Sequence, residues 1–121
     1  MNKLNDIFDI NERMKALKKQ LEFLECQVCI AKRINGASSQ AYNALSDIKE
    51  NTKNEFDTIC ADRLKLYNMI ANVKDSVLRT LLEYRYVYLM NYDDIAELTN
   101  YSLRQVMRKI SEGIKEVEKV S

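Results

Sequence analysis

Two interleaved rows of apolar residues, each repeating every seven positions, constrain this chain more than any other feature. Ile7, Met14, Leu21 and Val28 form one row, and Ile10, Leu17, Leu24 and Ala31 form the other. Positions seven apart fall on opposite faces of a strand but on one side of a helix, so the pattern is a helical stripe. It predicts a helix from Leu4 to about Ile34, ~45 Å long at 1.5 Å per residue. One helix cannot bury such a stripe against itself. A second helix must cover it, supplied by this chain or by another copy.

The remainder of the sequence leaves little room for anything but helices. It has no proline and two glycines, Gly36 and Gly113, and strand-and-turn folds lean on both residue types. The expected fold class is all-α. Asn35-Gly36-Ala37-Ser38-Ser39-Gln40 is the clear break, small and polar around a glycine. Tyr42 to Thr52 is polar and weakly patterned, the expected frayed start of a second helix. From Phe56 the seam returns through Ile59, Leu66, Ile70 and Val73, with Arg63 interrupting it. Residues 1–74 are therefore expected to form a long helical hairpin or coiled coil, pairing in cis or in trans.

A second domain is expected over residues 75–121. Asp75 or Ser76 caps a helix running to Met90, with Leu78, Leu81, Leu82, Tyr86 and Leu89 inward. Arg85 falls on that same side, and a guanidinium there needs an acid or carbonyls, of which a carboxylate such as Glu97 is expected. Asn91 caps the next helix, with Asp93 and Asp94 in its first turn to complement the positive helix end. Met90 with Ile95, and Tyr101 with Val106, stand at hydrophobic-staple positions, and Ser102-Leu103-Arg104-Gln105 is a capping box. Asn100 stands between the helices, and Asn tolerates the left-handed backbone of a helix stop. These signals together read as a C-terminal helix-turn-helix.

Charge narrows what that motif can do. The net charge is +1, and residues 75–121 carry seven basic against eight acidic residues. A nucleic-acid function must rest on where charge lies. Advancing 100° per residue from Val106 places Ile110, Leu103, Ile114, Gly113 and Val117 in an inward stripe. Arg104, Arg108 and Lys115 fall opposite, Gln105 to one side, and Lys109 and Met107 flank the stripe. From Ser102 to Ser111 there are three basic residues and no acidic one. Arg on a helix in the major groove can bond a guanine edge bidentately, Gln can read adenine, and Lys109 and Lys115 suit phosphates. Double-stranded DNA is the expected partner.

Other classes have less behind them. Cys26-x-x-Cys29 resembles half a metal site, but the chain has no histidine and its three cysteines, with Cys60, are an odd count. No metal or cofactor is expected. No apolar run is long enough to span a bilayer. The opening MNKLNDIFDI lacks the basic start and apolar core of a signal peptide, so the cytoplasm is the expected compartment. No glycine-rich phosphate loop is present, and Asp93-Asp94 are ordinary dipole partners, so no enzyme is expected.

Leu81-Leu82-Glu83-Tyr84-Arg85-Tyr86-Val87, Asn91-Tyr92-Asp93-Asp94-Ile95-Ala96-Glu97-Leu98 and Tyr101-Ser102-Leu103-Arg104-Gln105-Val106 together resemble a known pattern. It is similar to the region-four DNA-binding module of bacterial sigma factors. More closely, it resembles small phage and prophage transcriptional regulators of the RinA and ArpU type, in which a helical part precedes such a module. The resemblance covers about residues 75–118. It implies that the second motif helix is a recognition helix, with Ser102, Leu103, Arg104, Gln105, Met107 and Arg108 toward DNA. It also implies transcriptional control of phage late or packaging genes, by a chain too short to hold a sigma factor's other regions. A homodimer or higher oligomer through residues 1–74 would present two copies of the motif. The alternatives are a small terminase-like packaging subunit and an α-helical adaptor contacting RNA polymerase.

Overall fold

A computed structural model describes residues 3–120. A 3-10 turn at Lys3–Asn5 leads into α1 (Asp6–Asn35), followed by α2 (Gln40–Ala71), α3 (Ser76–Tyr86), α4 (Tyr92–Thr99) and α5 (Leu103–Val120). No described residue lies in a strand, and the protein is all-α. No described helix is long and apolar enough to cross a membrane. The chain divides into two compact units, Asp9–Asp62 and a second made of Arg63–Ser121 with Met1–Phe8.

In the first unit α1 and α2 run antiparallel. Arg13 Nε donates to Glu55 Oε1 at 3.2 Å across 42 positions of sequence, which a straight helix would hold roughly 60 Å apart. The reversal is made at Gly36, whose φ of 84° is a left-handed conformation that glycine adopts without strain. Gly36 N donates to Lys32 O at 3.0 Å and Ser39 N to Gly36 O at 3.2 Å. Burial follows the heptad rows: Leu17 and Ala31 are buried, and Ile10, Met14, Leu21, Leu24 and Val28 are half-buried. The polar stretch Tyr42–Thr52 is not a frayed start. Helix α2 is already formed at Gln40, because Ser39 Oγ accepts from Tyr42 N at 3.1 Å and supplies the cap. Thr52 then satisfies its hydroxyl on Ile48 O at 2.9 Å without leaving the helix.

The second unit holds most of the core. Leu4, Ile7, Leu66, Ile70, Val73, Leu78, Leu81, Leu82, Tyr86, Ile95, Val106, Ile110 and Val117 are buried there. Helix α3 is capped by Asp75, whose side chain accepts from Val77 N and Leu78 N at 2.9 and 3.2 Å. It stops at Tyr86, four residues before the expected end at Met90. Val87 N and Tyr88 N both donate to Glu83 O, and Met90 N donates to Tyr84 O at 2.9 Å. These bonds close a turn that holds Leu89 at φ 61°. Leu89 is therefore 43% exposed and not part of the inner face.

Arg85 is placed differently from expectation as well. Its guanidinium lies between two rings, 4.8 Å from the Phe8 centroid and 4.5 Å from that of Tyr92. Its Nη1 donates to Met90 O at 3.0 Å, while Nε is buried without a partner. No pairing with Glu97 forms. Stacking and a carbonyl satisfy a delocalised cation that needs no carboxylate. One side chain thus ties Phe8, the end of α3 and the start of α4 together. Phe8 also packs its ring on Tyr86, 5.8 Å centroid to centroid.

Candidate nucleic-acid interface

The candidate surface is built on α5 and is positioned from its first residue. Asn91 Oδ1 accepts from Asp94 N at 2.8 Å, which starts α4. Asn100 ends it at φ 62°, ψ 14°, in the left-handed region. Ser102 and Gln105 then bond reciprocally: Gln105 N donates to Ser102 Oγ at 3.1 Å and Ser102 N to Gln105 Oε1 at 3.0 Å. This capping box satisfies two otherwise orphan donors and fixes where the new helix points.

Three core residues set the rotation of α5. Val106, Ile110 and Val117 are buried, and Gly113 lies close against Leu82 of α3, where a Cβ would come within 3.0–3.3 Å of the leucine side chain. Ile114 is half-buried. Leu103, placed in the inward stripe by angle, is 42% exposed. An inward angle buries a side chain only where a neighbouring helix covers it, and the first turn of α5 lacks that cover.

With that rotation fixed, Arg104, Arg108 and Lys115 stand exposed on the opposite side. Ser102, Arg104, Gln105 and Arg108 line one surface concavity at the start of α5. Arg104 makes no ion pair among the described residues. Arg108 Nε lies 3.9 Å from Glu112 Oε1, both well exposed, a contact too long and too hydrated to hold the guanidinium. Gln105 Oε1 is engaged by the cap, so a contact from Gln105 falls to its amide NH₂. Met107 is 50% exposed.

The chain matches no protein family, no curated protein and no solved structure.

The two lysines part company from the arginines. Lys109 lies on the far flank with Nζ 5.4 Å from the Tyr101 ring centroid, a cation held over an aromatic face. Lys115 shares the arginines' side but stands seven residues beyond Arg108, ~10 Å along the axis. Elsewhere on this unit Tyr88 is 65% exposed and Tyr84 half-buried, their rings 6.2 Å apart.

Sequence reasoning missed a second surface of the same unit. Val77, Leu81, Tyr84, Leu98 and Tyr101 line a groove between α3 and the end of α4, and Val77 and Leu98 are 43% and 56% exposed. No local signal marks it: Leu98 lies three residues after the inward Ile95, 60° from it by the same count, and reads as part of the inner stripe although it is 56% exposed. Cys26 and Cys29 are exposed on α1 and unpaired. No group of three or more metal-ligating side chains gathers among the described residues.

Proposed function

We propose that this protein is a sequence-specific DNA-binding regulator, encoded by a phage or prophage and acting on late or packaging genes. It works in the cytoplasm, where its target DNA lies. Helices α4 and α5 act as a helix-turn-helix, with α5 in the major groove. The observation that carries this reading is the exposed Arg104/Arg108 pair, gathered with Ser102 and Gln105 at the start of a helix that its caps and core hold in one orientation. Arg104 is positioned to read guanine, and Arg108 to share base and phosphate contacts.

With a balance of −1 over residues 75–121, one copy makes few phosphate contacts and binds weakly. A homodimer or higher oligomer through residues 1–74 presents two reading helices and recovers affinity by effective concentration. The half-buried seam of the first unit, with Phe23, Ile34 and Ile48 more than half exposed beside it, supports that arrangement.

The test is binding to DNA from the gene's own neighbourhood across a salt series. Loss of affinity and sequence preference in Arg104→Ala and Arg108→Ala is expected. Wild-type behaviour in both variants would remove the assigned face. A second reading, an adaptor contacting RNA polymerase, is favoured by the Val77–Tyr84–Leu98–Tyr101 groove and a net charge of only +1. Polymerase co-purification with no DNA shift at low salt would select it.

A further inference from the structure

The reading face of α5 has an apolar edge that the arginines leave unused. Leu103 and Met107 are one helical turn apart, and both are exposed, at 42% and 50%. By angle Met107 stands 60° from Arg104 and Leu103 100° from it, at 100° per residue. The two apolar side chains therefore form a strip parallel to the Arg104–Arg108 row and beside it. No acidic residue occurs from Ser102 to Ser111, so the field over the strip favours a polyanion over an acidic or neutral protein surface.

We infer that Leu103 and Met107 read the 5-methyl group of thymine in the major groove, at base pairs beside the guanine bonded by Arg104. The inference rests on the proposed DNA-binding function and narrows it to a site class, guanine flanked by thymine. The chemistry is simple. Thymine is the one standard base that shows a methyl group in that groove, and apolar side chains discriminate by burying it. Neither residue is part of the buried core, since both are about half exposed. Leu, at the first turn, is fixed by the cap beside it. Met is flexible and polarisable, and adapts to a methyl whose position varies with DNA twist.

The experiment starts by selecting bound sequences from a random duplex pool with the full-length protein. In the selected duplex each thymine is then replaced singly by deoxyuridine, which deletes the methyl and nothing else. At one or two thymines the wild type should lose about three- to fourfold in affinity per methyl. The Leu103→Ala/Met107→Ala variant should bind the thymine duplex more weakly and be indifferent to uracil at those positions. Its unfolding midpoint should fall only slightly, since neither side chain is in the core. Three results overturn the inference while leaving DNA binding intact: indifference of the wild type to uracil everywhere, an equal uracil loss in the variant, or unchanged DNA affinity in the variant, as a protein-docking strip would give. A pool that yields no enriched sequence overturns the DNA-binding function, and this inference falls with it.

Discussion

Gly113→Ala sets two known effects against each other at one position. An alanine in a helix interior gains ~1 kcal/mol over glycine from propensity alone. Against this, a Cβ at residue 113 would lie 3.0, 3.1 and 3.3 Å from Cδ1, Cγ and Cδ2 of Leu82. Leu82 is 0% exposed. Its middle atom is among those struck, so the side chain cannot simply swing its tip away. Overpacking of this kind costs about 1–3 kcal/mol. The balance is a variant between neutral and about 2 kcal/mol less stable, where propensity alone would make it more stable. The decisive comparison is a double-mutant cycle with Leu82→Ala, which removes all three atoms and by itself costs about 2–5 kcal/mol. In that background Gly113→Ala should become stabilising by ~1 kcal/mol, a coupling of about 1–3 kcal/mol. Urea midpoints at constant m-value read both legs, with a protecting osmolyte added if Leu82→Ala is marginal. An equal gain from Gly113→Ala in both backgrounds would refute the close approach of α5 to α3. The orientation of the arginine face would lose its support as well.

Arg85→Lys should be no milder than Arg85→Met, because an ammonium cannot stack between Phe8 and Tyr92 while bonding Met90 O. Each should cost about 2 kcal/mol by chemical denaturation. Ile7→Ala should cost about 2–4 kcal/mol and should lower the melting temperature of the unit that carries α5, although Ile7 lies 96 residues before Leu103 in sequence. Limited proteolysis that cuts α5 of Ile7→Ala no faster than wild type would count against that prediction. Asn100→Val should cost about 1–2 kcal/mol through its left-handed backbone, whereas Asn100→Gly should be neutral or stabilising; equal stability of the two would deny the turn geometry.

What could be read from the sequence was what is determined locally. A helix stop at Asn100, a cap at Asn91 and a capping box at Ser102–Gln105 each depend on residues within four positions of one another. The same is true of the 100° count that separates Val106 and Ile110 from Arg104 and Arg108. Expectation and structure part where an irregular turn, a single side-chain cap or a distant partner decides. Leu89 keeps the period of the α3 stripe, but the turn closed by Met90 on Tyr84 removes it. The expected carboxylate of Arg85 is replaced by the rings of Phe8 and Tyr92 and the Met90 carbonyl, and of these Phe8 lies far back in the sequence, where no pattern marks it. Ser39 lies in the connection as expected, but its hydroxyl caps α2 at Tyr42 N, so the polar residues from Tyr42 to Thr52 are helix and not a frayed start. The grouping of Met1–Phe8 with Arg63–Ser121 is the largest such effect: Leu4 and Ile7 belong to the heptad helix by pattern and to the other core by burial.

On the proposed DNA-binding function, position along α5 gives its basic residues different tasks, and salt can report the difference. In a helix lying in the major groove, the N-terminal residues meet base edges and later turns pass toward the backbone. Arg104 stands in the first turn, and Lys115 lies on the same side about 16 Å further on. Lys115→Ala should therefore weaken binding to all duplexes alike and flatten the plot of log K against log salt by about 0.9, the loss of one phosphate contact. Arg104→Ala should change that slope less and relax preference at one base pair, at a cost of about 1–3 kcal/mol on the preferred site. Glu112 and Glu116 flank Lys115 along the helix and work against its phosphate contact, so their removal should strengthen non-specific binding. The inverse pattern, a lost preference in Lys115→Ala and a uniform loss in Arg104→Ala, would mean that α5 lies the other way round in the groove.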